Sequence, residues 1–302
     1  MSWVLSIMDH LRAHVTSRRW LTIASLGITP ALVPGCGFPS FSTPESLIPT
    51  QFTYTVPSQS DWAIQGYQSP DATLPRVIFV HGTPGAGSNF TRYVLDPIPG
   101  TQSVAYDRPG FGNTQPRSAI PELELQASAL EPLLVERDGS WPVLVGHSLG
   151  GPIVVQAAAM YPDRVRAIVI LAGSLDPELE RVRFIQHVGN FFLVPHLIPR
   201  DLRNANREVL PLKKTLVPLG ELLPTLTCPI VIVHGTRDKL VPYANVDYML
   251  ERFTPTQDVE VITIEGGNHF LPWNAEETVR QAIASALDIE THTSAPSLEM
   301  AQ

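Results

Sequence analysis

Val143-Leu144-Val145-Gly146-His147-Ser148-Leu149-Gly150-Gly151 decides the reading of this chain. The apolar, partly β-branched run after Trp141-Pro142 predicts a buried parallel strand, and residues 152–160 change to a helical pattern. Between them Gly146-His147-Ser148-Leu149-Gly150 forms a G-x-S-x-G turn. A serine on so sharp a strand-to-helix turn sits in strained backbone space. A side chain two positions to either side would collide with the neighbouring strand or helix, which is why the pattern wants glycine there. The strain lifts the hydroxyl clear of the sheet. The N–H groups that follow lie at a helix N-terminus, where a developing anion is favoured. Pro152 suits the first helical turn, because the N–H it lacks has no helical partner there.

Working outward, Val77-Ile78-Phe79-Val80 predicts a second buried strand, ending at His81-Gly82-Thr83-Pro84-Gly85. Bending back through glycine, that loop can aim the Thr83 N–H at the same point as the Leu149 N–H, and two such donors make an oxyanion hole. The glycines of Gly82 to Gly87 also suggest a phosphate loop, but their order is not G-x-G-x-x-G and no Gly-Lys-Ser/Thr follows. Ser103-Val104-Ala105-Tyr106 predicts a third strand, followed by the turn Asp107-Arg108-Pro109-Gly110-Phe111-Gly112, expected to brace the loop beside the site. Leu123, Leu125, Ala127, Leu130, Leu133 and Leu134 predict a helix over residues 120–137. Further strands are expected at residues 167–171, 230–233 and 259–264, and an antiparallel hairpin of residues 52–56 and 62–67 precedes them. Asn274 with Glu277 three positions on announces a final helix ending near Leu287.

Length and composition narrow the function. With 302 residues and 44% hydrophobic content, one large α/β domain with an insertion is expected, and no internal repeat is visible. The formal net charge is −8 with no dense Lys/Arg run in the body of the chain, which argues against nucleic acid as partner. No C-x-x-C, H-E-x-x-H or P-loop signature is present, so no cofactor or metal is expected. Of the two cysteines, Cys228 leads into an apolar strand and is expected to be buried.

Taken together, the His-Gly-Thr-Pro-Gly loop, the Asp107 turn and Gly-His-Ser-Leu-Gly-Gly, in that order, resemble the α/β-hydrolase superfamily. The resemblance implies a mostly parallel central sheet flanked by helices, with a helical cap inserted over about residues 175–227. It also implies a catalytic triad in the order Ser148, Asp238, His269, each after a strand, with an oxyanion hole at Thr83 and Leu149. Some members place the acid after an earlier strand, where Asp176 stands in this chain. The chemistry is coherent: a serine hydroxyl needs a base, histidine has an ordinary pKa near 6.5, and a carboxylate behind it fixes its tautomer. The serine disfavours the aspartate-nucleophile dehalogenases and epoxide hydrolases of the superfamily. A small-molecule carboxylic ester is the expected substrate. Phe270, Leu271 and Trp273 beside the histidine favour an apolar acyl group. Perhydrolase, carbon–carbon hydrolase and iminopeptidase chemistry, and a catalytically silent binding protein, are the alternatives.

The ends of the chain read as address and tail. Arg18-Arg19, the apolar residues 20–33 and Val33-Pro34-Gly35-Cys36 resemble a bacterial lipoprotein signal over residues 1–35, with Cys36 as the lipid-attachment site. The expected location is the cell envelope, outside the cytoplasm and membrane-anchored through the lipid; a secreted or cytoplasmic protein is the alternative. Residues 36–50, rich in Pro, Ser and Thr, read as a tether, residues 51–290 as the folded domain, and residues 291–302 as a disordered tail.

Overall fold

The alternating segments at the start of the domain pair as expected: β1 (Thr50–Val56) and β2 (Gln59–Gln68) form an antiparallel hairpin, with a register irregularity between Thr55 and Val56. The structure is a computed structural model describing residues 49–180, 199–254 and 258–288. The signal, Cys36, nearly all of the tether, the 291–302 tail and residues 181–198 of the expected cap lie outside the described residues.

Each apolar run becomes a strand: β3 (Arg76–Val80), β4 (Gln102–Tyr106), β5 (Val143–His147), β6 (Ala167–Leu171), β7 (Ile230–Gly235) and β8 (Val259–Ile264). They join β1 and β2 in an eight-stranded sheet of order β1-β2-β4-β3-β5-β6-β7-β8, parallel from β4 onward. Every residue of β3 to β7 is buried, because helices cover both faces and a doubly covered strand has no solvent side.

The two-residue period divides these side chains between two cores. Ile78, Val80, Leu144, Ile168, Ile170, Ile230 and Ile232 point to one face. Val77, Phe79, Val143, Val145, Val169, Val231 and Val233 point to the other. On the second face lie α1 (Thr91–Leu95), through Tyr93 and Val94, and the C-terminal helix, through Val279, Ala282, Ile283 and Ala286. The first face is covered by α2 (Leu123–Ser128), α3 (Gly150–Met160), α5 (Leu212–Leu222) and α6 (Ala244–Arg252). Each fully buried aliphatic side chain contributes roughly 1.5–3 kcal/mol, so the alternation is enforced at every position.

Between β6 and β7 the described part of the expected cap holds α4 (Arg200–Val209) and α5. Leu212, Leu216 and Leu219 of α5 join the first core.

Two helix expectations need correction. Residues 120–137 are not one helix: α2 stops at Ser128, a 3-10 turn spans Glu131–Leu133, and Arg137 then pairs with Ser140. Pro132 supplies no N–H to continue the helical ladder, and Asp138 and Gly139 turn the chain at positive φ. Asn274 is not an N-cap. It ends the short helix α7 (Leu271–Asn274), its side chain donates to Asn268 Oδ1, and α8 (Glu276–Asp288) begins two residues later.

Candidate active site

β5 ends at His147, and Ser148 follows in the left-handed region at φ 56°. Such backbone costs a residue with a Cβ roughly 1–2 kcal/mol, so it persists only where its surroundings hold it. Here the Ser148 N–H donates to Leu171 O of β6 at 2.9 Å, and its carbonyl accepts the Gly151 N–H at 2.9 Å. The flanking glycines leave no space for a side chain. A Cβ on Gly146 would lie 2.2 Å from Gly150 O, and one on Gly150 would lie 2.2 Å from Val80 O of β3. Leu149 is the N-cap of α3, so its peptide stands at the positive end of an 11-residue helix.

Asp238 lies in the loop after β7 with its side chain fully buried. Its Oδ1 accepts the N–H groups of Leu240 at 2.8 Å and Val241 at 2.9 Å, which fixes the carboxylate plane. Its Oδ2 accepts the Nδ1–H of His269 at 2.7 Å. Because a carboxylate only accepts, Nδ1 carries the proton and Nε2 of His269 is left as the basic nitrogen. Burial pushes the Asp238 carboxyl up, but the His269 hydrogen bond and charge and the two backbone amides outweigh it, and the net shift is downward. Asp176 is committed elsewhere: its Oδ1 accepts the Glu178 N–H, and its backbone N–H is held by Asn245 Oδ1.

His269 is held beside the serine turn through the serine's own neighbour. His147 Nε2–H donates to His269 O at 2.9 Å, and the two rings lie 4.9 Å apart. Burial, reinforced by the neighbouring His269, pushes the His147 imidazole down to about 3, so it is neutral. His234 packs behind the acid. Its Nε2–H donates to Val241 O, and burial lowers its pKa as well. Trp273 meets the His147 ring edge-on at 5.6 Å, and Phe270 meets the His269 ring at 5.8 Å. Leu271 has a different fate: it is buried in the second core and does not join this aromatic group.

The loop after β3 reaches the same turn. A Cβ on Gly82 would lie 2.8 Å from Ser148 Cβ and 3.3 Å from Ser148 Oγ, so the Gly82 backbone is pressed against the serine. Thr83 is the next residue, and its hydroxyl is buried without a partner among the described residues. Ser148, Asp238, His269, Thr83 and Leu149 all stand at the carboxyl ends of β3, β5, β7 and β8 or just beyond, the edge where open α/β sheets carry their ligands. Cys36 lies outside the described residues.

Sequence reasoning missed Arg108 and Glu208. Arg108 is fully buried, and its guanidinium makes a two-pronged pair with Glu208 of α4 at 2.9 and 3.0 Å. A signal was present: Arg200, Asn204 and Glu208 recur every four residues, a polar stripe on one helix face. All three dock on the turn after β4, Arg200 to Gly112 O and Asn204 to Gly110 O and Arg117 O. Asp107 braces that turn as expected, accepting the N–H groups of Gly87 and Asn113. Among the described residues no cluster of three metal-ligating side chains occurs, and no helix is long and apolar enough to cross a membrane.

The family described as an alpha/beta hydrolase fold matches residues 75–192. The chain is 29% identical over 235 residues to a pimeloyl-(acyl-carrier protein) methyl ester esterase of Xanthomonas campestris pv. campestris, covering 65% of this chain and 88% of that protein. It is 24% identical over 251 residues to a 2-hydroxy-6-oxononadienedioate/2-hydroxy-6-oxononatrienedioate hydrolase of a Pseudomonas species, covering 70% and 87%. Among solved structures, Est1E of Butyrivibrio proteoclasticus with ferulic acid bound superposes with a TM-score of 0.58 at 19% identity, covering 78% of this chain and 99% of that one.

Proposed function

From the α/β-hydrolase fold of this chain we propose that the protein is a serine hydrolase cleaving carboxylic esters through an acyl-enzyme. The observation that carries the reading is the 2.7 Å contact of His269 Nδ1 with the buried Asp238, on the sheet edge where Ser148 is held at positive φ. In the proposed reaction Ser148 Oγ attacks the ester carbonyl while His269 Nε2 takes its proton. The oxyanion forms between the N–H groups of Thr83 and Leu149. Collapse expels the alcohol, protonated by His269, and a water activated by the same imidazole then hydrolyses the acyl-serine. Asp238 stays ionised throughout and stabilises the imidazolium; its lowered pKa supports that role. Removal of one oxyanion donor from such a site costs about 2.7–4 kcal/mol of barrier.

Phe270 and Trp273 present aromatic surface beside His269 and His147, which supports an acyl group of apolar character. The Xanthomonas relative is a methyl ester esterase, which supports ester cleavage as the reaction. Labelling with a fluorophosphonate tests the nucleophile. The adduct is expected on Ser148 and absent from Ser148→Ala, and an unlabelled folded wild type defeats the hydrolase reading in favour of a silent binding protein. A p-nitrophenyl ester chain-length series run beside amide and peroxide assays separates an esterase from an iminopeptidase or perhydrolase. The lipobox-like Val33-Pro34-Gly35-Cys36 supports a lipid anchor at Cys36 that holds the enzyme in the cell envelope. Mass spectrometry of the chain from native membranes checks it, and an intact, unmodified N-terminus refutes it.

A further inference from the structure

Arg108 occupies a place that its supporting role in a turn does not explain. It is the largest fully buried side chain among the described residues, and nearly all of its hydrogen bonds go to the loop after β3 or to α4. Its backbone N–H donates to His81 Nε2 at 3.0 Å, Nε–H to His81 O at 2.9 Å, and one Nη2–H to Gly82 O at 3.1 Å. Since His81 Nε2 accepts, Nδ1 carries the proton and donates to Gly82 O at 2.7 Å. Gly82 O therefore receives two donors, one of them charged.

A peptide group is planar and trans, so the carbonyl of one residue and the N–H of the next point in opposite directions. Fixing Gly82 O fixes the direction of the Thr83 N–H. We propose that Arg108 is a positioning residue that aims the Thr83 oxyanion donor by holding Gly82 O, and that Glu208 makes this aim depend on the seating of helix α4. The inference rests on the serine hydrolase reading and names the part of the machinery that the segment between β6 and β7 controls.

Glu208 is suited to that dependence. It is buried, it takes both Arg108 Nη groups, and its Oε1 also accepts Gln126 Nε2 of α2 at 3.0 Å. With α4 docked, the guanidinium is turned so that Nε and Nη2 face the two carbonyls. With α4 displaced, a buried cation loses its counter-ion and must turn toward water or another acceptor, and Gly82 O keeps only the neutral His81 donor. Arg200 and Asn204 dock the same face of α4 on the turn after β4. A substrate that seats or lifts α4 would thereby also aim or release the oxyanion donor. An arginine is required, because a lysine has one nitrogen and cannot serve Glu208 and two carbonyls in one plane.

The test compares wild type with Glu208→Gln, Arg108→Met, Glu208→Leu and the double variant Arg108→Met/Glu208→Leu. The readouts are melting temperature, kcat and KM on p-nitrophenyl butyrate, and affinity for a trifluoromethyl ketone, whose hemiketal oxyanion needs the hole. Deletion of an oxyanion donor costs 10²–10³ in kcat, so a misaimed donor is expected to cost about 10-fold or more, with KM within about 2-fold. Trifluoromethyl ketone affinity is expected to fall in parallel with kcat. The double variant carries no unpaired buried charge, so it is expected to melt above either single leucine or methionine variant while keeping their low kcat. Recovery of kcat together with melting temperature, or a folded Glu208→Gln with wild-type kcat and ketone affinity, overturns the proposal and leaves the hydrolase reading standing. A wild type that neither turns over the ester nor reacts with fluorophosphonate overturns both.

Discussion

Gly82→Ala is the sharpest local perturbation of the proposed site. The added methyl would sit 2.8 Å from Ser148 Cβ, 3.1 Å from His147 O and 3.3 Å from Ser148 Oγ, where ordinary van der Waals contact begins at 3.4 Å. Neither the β-carbon of a residue at positive φ nor a strand-end carbonyl is a flexible chain end. The loop and the serine turn must therefore separate by at least about 0.6 Å, and the Thr83 N–H moves with the loop. Misplacement of a catalytic group by about 1 Å costs roughly 10²-fold. The expected loss in kcat is thus about 10- to 100-fold, or roughly 1.4–2.7 kcal/mol of transition-state stabilisation. The stability cost of overpacking, about 1–3 kcal/mol, is read separately from urea unfolding. Steady-state kcat and KM on p-nitrophenyl butyrate, with the rate of fluorophosphonate labelling, measure the effect. A folded Gly82→Ala enzyme with wild-type kcat and labelling rate would refute the placement of the oxyanion donor beside Ser148.

Asp238→Asn leaves the shape of the site but presents His269 with an amide that no longer fixes the Nδ1–H tautomer. By analogy with serine triads, kcat is expected to fall by about 10³–10⁴ with KM nearly unchanged, whereas Asp176→Asn should leave kcat within about 2-fold. The pH dependence of stability follows from the buried imidazoles of His81, His147 and His234, whose pKa values burial lowers. A base depressed in the folded state contributes stability above its unfolded pKa of 6.5 and loses it as pH falls toward its folded value, about 3 for His147. At pH 5 the His147 contribution is reduced by ~2 kcal/mol relative to pH 8, so urea midpoints should fall across that window. His147→Gln, which can still donate to His269 O, is expected to remove about that much of the fall; an unchanged slope would contradict a buried neutral His147. Asp238, with its carboxyl shifted down, adds a separate loss only below about pH 4, where the unfolded carboxyl takes up a proton that the paired native carboxylate resists.

Where the chain's instructions are local, they could be read in one dimension. Buried strands showed as apolar runs because β3 to β7 are covered on both faces, and the serine turn showed because its glycines answer collisions within five residues or with the adjacent strand. That Ser148, Asp238 and His269 each follow a strand end was also legible. Tertiary structure decided the rest. Whether Asp238 or Asp176 stands behind His269 depends on which strand-end loop comes within 2.7 Å of a histidine 31 residues away. The helix expected over residues 120–137 stops early because Pro132 and the turn at Asp138 and Gly139 outweigh a suitable leucine spacing. Arg108 and Glu208 are 100 residues apart, on a turn and on a helix dense in charged residues. No periodicity links them. Only the docking of α4 removes both from water, and the cost of burying either charge alone makes them partners.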